Sequence, residues 1–298
     1  MRESGIRLVT VLGALGVPLV ALAGGGSVDR TVAATPNGEV EISNVSGTVD
    51  VRGWDKLEVR VTGELGAEVE RVDVDSSGGR TIIKVILPHG SHNDSDADLT
   101  IQVPKMSSVE VGAVSADVSS RGVLGTQRLK TVSGEISADI AGDDSEVRSV
   151  SGDLTVRGSG KPLTLRASSV SGSLDLTNAA GSLDVVTVSG DARVTMGDAK
   201  DVRARTTSGD LEVHAKMTPD GRVDAEAVSG DLTLQLASPG ALSLEIESFS
   251  GDITGCLAGS VERVSKYGPG VRLNVRNVEA GPRVRAKTLS GDIEICNK

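Results

Sequence analysis

An acidic residue recurs at one place along this chain: Glu135, Asp153, Asp191, Asp210, Asp231, Asp252 and Asp292 each stand two residues after the serine of a Ser-Gly pair. Carboxylates stacked in a column can hold a divalent cation, since calcium takes oxygen-rich sites. Asp153, Asp191, Asp210, Asp231 and Asp252 therefore form a candidate calcium column. Two observations favour a plainer role. The GGxGxD nonapeptide of calcium-binding β-rolls is missing, and Asp beside a glycine corner commonly accepts backbone N–H groups. The corner role is the expectation and calcium the alternative.

Other candidate chemistry is weaker. Asn93-Asp94-Ser95-Asp96-Ala97-Asp98 follows His89 and His92. It lacks the Gly and Glu of an EF-hand loop, and no Cys or third His completes a zinc set. A solvated loop is expected. His214 sits just past a strand pattern and should face solvent. There is no GxSxG elbow and no plausible base–orienter pair for a hydrolase triad. Paired carboxylates could cleave glycosides, yet a repeat puts carboxylates on every turn regardless. No catalytic residue or cofactor is assigned, and the expectation is a protein that is not an enzyme.

These residues sit in a repeat, and the repeat sets the architecture. The reference positions are Ser115, Ser133, Ser151, Ser171, Ser189, Ser208, Ser229, Ser250, Gly268 and Ser290, spaced by 18 to 22 residues. Apolar residues keep fixed places: four before (Val111, Leu129, Val147), one before (Val114, Val132, Val150), three after (Val118, Ile136, Leu154) and five after (Val156, Leu176, Val194). Two short alternating runs per unit, rich in β-branched residues, predict strands with one buried face. Identical units bury those faces by stacking. The fold class is all-β, a β-solenoid of about ten two-strand coils over residues 109–298, with Val and Leu pointing inward and Ser and Asp outward. The glycine after each serine is expected at a corner where a side chain would clash.

Upstream, Asn37 to Asp55 is one more copy around Ser46. Longer alternating strands between residues 54 and 105, with Ser77-Gly78-Gly79 as a hairpin turn, predict an antiparallel sheet that caps the first coil. Residues 36–108 are thus read as an N-terminal β cap with the first repeat. Residues 24–35 are a linker, and residues 1–23, basic then apolar and ending Ala21-Leu22-Ala23, are a cleaved signal peptide. The chain ends within three residues of the last repeat strand. That leaves either a charged, soluble edge or a strand free for end-to-end self-association.

Cys256 and Cys296 occupy the same place in the repeat, two coils apart. Two coils put them ~9.6 Å apart, beyond the ~7 Å reach of a disulfide. A bridge would require the Gly268 coil to loop out. Its apolar places are filled by Val264, Tyr267, Val271 and Leu273, so unpaired thiols are expected.

The formal net charge of −10 speaks against nucleic acid or an anionic membrane, whose phosphates need a basic partner. With one Trp, one Tyr and one Phe, the chain also lacks the aromatic platforms of most carbohydrate sites. The run NGEVEISNVSGTVDVRGWDKLEV, then DLTIQVPKMSSVEV, then successive VSGDLTV units resembles a bacterial exported family described as DUF4097, beta-strand-repeat or "putative adhesin" domain proteins. The resemblance spans roughly residues 36–296. It implies an extracytoplasmic β-solenoid without assigned catalytic residues, placed in the periplasm, at the cell surface or outside the cell. The expected function is a non-enzymatic adhesion or interaction scaffold for an unidentified protein or envelope partner. The alternatives are a calcium-binding matrix-type repeat protein and, more distantly, a carbohydrate-active β-helix enzyme.

Overall fold

The computed structural model describes residues 26–88, 95–238, 240–256, 260–264, 269–275 and 281–297. The signal-peptide segment, His89, His92, Asn93, Asp94, Tyr267 and Gly268 lie outside them. Every regular element among the described residues is a β-strand.

Successive repeats pair in parallel, corner over corner. Ser46 stands opposite Ser115, Ser189 opposite Ser208, and Ser208 opposite Ser229. Each rung contributes one strand before its corner and one after it. The strands before the corners and those after them enclose a core of side chains such as Val147, Leu154, Val156 and Leu165, all essentially inaccessible. Each such residue contributes about 1.5–3 kcal/mol by burial, and only because a rung lies on either side.

The order of rungs in space is not the order in the chain. At the C-terminal end, strand Arg283–Ser290 pairs in parallel with residues 222–229 on one side and with 243–250 on the other. Strand Ile293–Asn297 is likewise held between residues 232–236 and 253–255. The Ser290 rung is therefore slotted between the Ser229 and Ser250 rungs. The unit that would have separated them leaves the stack: Val271–Val275 turns back antiparallel onto residues 244–248.

Charge favours the insertion at two register positions, though the same exchange sets Arg283 opposite Arg222. Asp224 and Glu226 of one rung and Glu245 and Glu247 of the other face the same side of the sheet. In chain order they would oppose each other as two like-charged pairs, each costing ~0.9 kcal/mol at rung spacing in water. The inserted rung places Arg285 between Asp224 and Glu245, and Lys287 between Glu226 and Glu247.

The N-terminal end has a matching exchange. Strand Glu39–Trp54 pairs in parallel with residues 108–121 on one side and with 80–84 and 96–104 on the other. The expected antiparallel sheet over residues 54–105 is thus corrected. Strands Arg80–Ile86 and Asp96–Pro104 form a rung of the stack, because their alternation matches the register of the Ser46 rung. The antiparallel cover comes from strands Gly26–Ala33, Glu58–Leu65 and Arg71–Ser77. Ser77 and Arg80 do close a two-residue hairpin, with Gly78 and Gly79 at φ 60° and 85°.

Three further expectations change. Strand Ile293–Asn297 is not an open edge, since it has a partner on both sides. Among the described residues, the outermost strand on that sheet is Ile253–Gly255. Cys256 and Cys296 form a disulfide, with Cα atoms 4.8 Å apart. The thiols meet because the Ser250 and Ser290 rungs are neighbours. His214 lies within strand Leu211–Ser229 rather than past its end.

Candidate functional site

The repeated Ser-Gly-Asp corner is the most distinctive constellation in the chain, and its chemistry is largely internal. Take the Ser151 rung. Ser151 N–H donates to the carbonyl of Val132 one rung below, and Leu154 N–H donates to the carbonyl of Ser173 one rung above. Ser149, two residues before the corner, is buried, and its hydroxyl accepts the Gly152 N–H at 2.8 Å. Thr131 and Ser169 do the same for Gly134 and Gly172. A buried hydroxyl in each of these rungs satisfies a donor that the corner takes out of the ladder.

Glycine is required at the corner by proximity. A Cβ on Gly152 would lie 1.8 Å from the Gly134 carbonyl oxygen, and one on Gly172 would lie 2.2 Å from that of Gly152. The same glycine-on-glycine contact runs 209, 230, 291, 251, retracing the exchanged rung order.

The corner has two forms. From the Ser189 rung onward the glycine N–H turns to the next rung: Gly190 donates to the Ser208 carbonyl, Gly209 to that of Ser229, and Gly230 to that of Ser290. Gly209 and Gly230 take φ values of 139° and 145° in doing so. The hydroxyls of Thr187 and Thr206, which would have received those N–H groups, are buried without a partner.

The acidic column works between rungs. Asp153 Oδ1 accepts the Ser173 N–H at 2.8 Å. Asp191 accepts that of Asp210, Asp210 that of Asp231, and Asp231 that of Asp292, at 2.9, 2.9 and 2.8 Å. Asp292 in turn accepts the Asp252 N–H. The one-carbon stem of Asp spans a single rung, which accounts for Asp rather than Glu at most of these positions. Among the described residues, no three or more His, Cys, Asp or Glu side chains converge as a metal site. His214 Nε2 lies 2.8 Å from Glu212. Glu212 also takes a hydrogen bond from Arg193, which, against burial, holds its carboxyl below the usual range.

The residue just before each corner serine overturns the expectation of an inward valine. Val45, Val114, Val132, Val150, Val170, Val188, Val228, Leu289 and Phe249 all point out of the stack, from 38% exposed at Val45 to 54% at Leu289. In rung order they make an apolar ladder in two runs, Val45 to Val188 and Val228 to Phe249, divided by Thr207. Ten rungs at ~4.8 Å give it a length of roughly 43 Å. It runs beside the outward serines, and the acidic column lies just past the glycines.

Comparisons with known proteins agree on family. The family model described as Toastrack DUF4097 matches residues 28–181 and again 178–296. No curated protein matches the chain. Among solved structures, the chain is similar to a "putative cell adhesion protein" from Clostridium sporogenes, at 11% identity and TM-score 0.25, covering 92% of this chain and 100% of that one. It is also similar to a "putative adhesin" from Bacteroides fragilis, at 12% identity and TM-score 0.38, covering 90% and 96%. A "putative lipid binding protein" from Parabacteroides distasonis gives 12% identity and TM-score 0.38, covering 92% and 98%. At this level the likenesses carry nothing about ligand or activity.

Proposed function

Because the chain belongs to the Toastrack DUF4097 family, we propose that it is an exported, non-enzymatic scaffold at the cell surface or in the periplasm, and that it binds its partner along the apolar ladder. The observation that carries this reading is the outward ladder itself. The inward places and the corner glycine are accounted for by the fold, but an exposed Val, Leu or Phe does nothing for the stack that Ser or Thr would not. Soluble proteins rarely expose a long contiguous apolar strip unless something covers it. Its flank gives the partner's chemistry: the neighbouring carboxylates favour a protein surface that sets basic side chains beside an apolar ridge.

Photo-crosslinking in the producing cell tests this. A photoreactive residue at Val150 or Val170 should give a discrete adduct in the envelope fraction. The same residue at Thr155, on the outer side of the other sheet, should not. Adducts of equal yield from both faces, or protein confined to the cytosol, would overturn the proposal. Val150→Lys with Val170→Lys should abolish the adduct from Val132 while leaving the melting temperature in place, since neither side chain enters the core.

A further inference from the structure

The C-terminal rungs carry a groove of about 640 Å³ on the flat outer side of the strands that precede the corner, away from the ladder. Five cations line it against three carboxylates, in a chain of net charge −10. Those carboxylates are unevenly shared. Glu247 takes Arg272 at 2.8 Å and Lys287 at 3.3 Å. Asp224 and Glu245 stand opposite Arg285, one on each side.

Arg222 and Arg283 are left facing one another across neighbouring parallel strands. Asp201, opposite Arg222 on its other side, is held by Arg203 at 3.2 Å. Two like charges in register repel by ~0.9 kcal/mol in water, and the rung exchange is what brings them together. A doubly charged oxyanion between them would reverse that sign, because guanidinium groups engage phosphate oxygens through paired N–H donors.

We propose that this groove binds a phosphate group of charge about −2, gripped between Arg222 and Arg283, as a free ion or as a phosphomonoester. The site exists only in the exchanged rung order, since Arg283 would otherwise be remote from Arg222.

Calorimetric titration of the full chain with inorganic phosphate and with glycerol 3-phosphate tests it, sodium chloride holding ionic strength constant. Saturable one-to-one binding is expected, and Arg222→Gln with Arg283→Gln should weaken it at least tenfold. Arg157→Gln, an exposed arginine on the other sheet, should bind as the parent does. Tighter binding of glycerol 3-phosphate would identify a phosphomonoester as the ligand, and equal binding would identify the free ion. Failure of the parent chain to bind either probe overturns the proposal, as does undiminished binding by the double variant. Arg222 and Arg283 are both exposed, so an unchanged melting temperature confirms that the variant is folded.

Discussion

Replacing Cys256 and Cys296 by serine tests the exchanged rung order most directly. The disulfide closes a loop of 40 residues, and freeing a loop of that size in the unfolded chain costs the native state about 4 kcal/mol in the chain-entropy account. The loss should not spread evenly. In a stack, each rung is stabilised by its neighbours. The Ser250 rung lies outermost on the parallel stack, with Leu244, Ile246 and Ile253 among its buried side chains. Without the bridge, this rung and the antiparallel strand laid on it should release first, giving an early step in urea before the main transition.

The assay is urea denaturation of the oxidised parent and the double variant, followed by circular dichroism, with amide exchange to locate the early step. Peptide mapping without reductant should recover residues 256 and 296 linked. Quantitative thiol labelling of the untreated chain would refute the rung order, because rungs stacked in sequence would hold the cysteines ~9.6 Å apart. A linked pair whose removal changes stability by less than about 1 kcal/mol would refute the loop-entropy reasoning instead.

Other consequences follow from the corner and the ion pairs. Gly172→Ala should cost about 3 kcal/mol in denaturant, since its Cβ can be seated only by parting two rungs. Gly112→Ala, where no atom lies within 4 Å of the new carbon, should stay within about 0.5 kcal/mol. Ser149→Ala strands the Gly152 N–H and should cost about 1–3 kcal/mol, whereas Thr206→Val removes a hydroxyl without a partner and should be neutral or stabilising by thermal melting. Glu247 is held below the ordinary glutamate range by Arg272 first and Lys287 second, against burial. Its contribution is therefore present above about pH 4.3 and lost as pH falls through its lowered value. The stability gap between the parent and Glu247→Gln should close on acidification from about pH 6 to about pH 3, and a gap that widens would contradict the assignment.

The repeat, its stacking and its inward places four before and three and five after the corner were legible because apolar residues recur there, with Ser120 and Gly255 as the exceptions at the place five after. The direction of the ladder was also written in the sequence, in parity rather than composition. Val147 and Val150 are three residues apart in one strand approach, so only one of them can face the core. Val147 does, together with Ser149, whose small polar side chain does not register as a core residue. The rung exchange was harder to see, because Ser229, Ser250 and Ser290 carry equivalent corners and any order satisfies the apolar register. The discriminating signal lay in the outward residues: Arg285 and Lys287 complement Asp224, Glu226, Glu245 and Glu247 only when placed between them. The cysteines gave the same information, but the apolar places around Val271 argued that the intervening unit would stay in line.

The exchange at the C-terminal end also bears on how the molecule is built in time. Residues 243–255 are synthesised before residues 283–297, yet they pack on top of them. In the finished stack the Ser229 rung is covered by these later strands, and the Ser250 segment has its final place only on top of them. A chain cut short between the two lacks the strand that pairs with Leu232 to Leu236 in the finished stack, and an edge without its partner is a template for pairing with other chains. The disulfide ties the late Ser290 rung to the earlier Ser250 rung laid over it, and so fastens the exchanged order at the end of the stack.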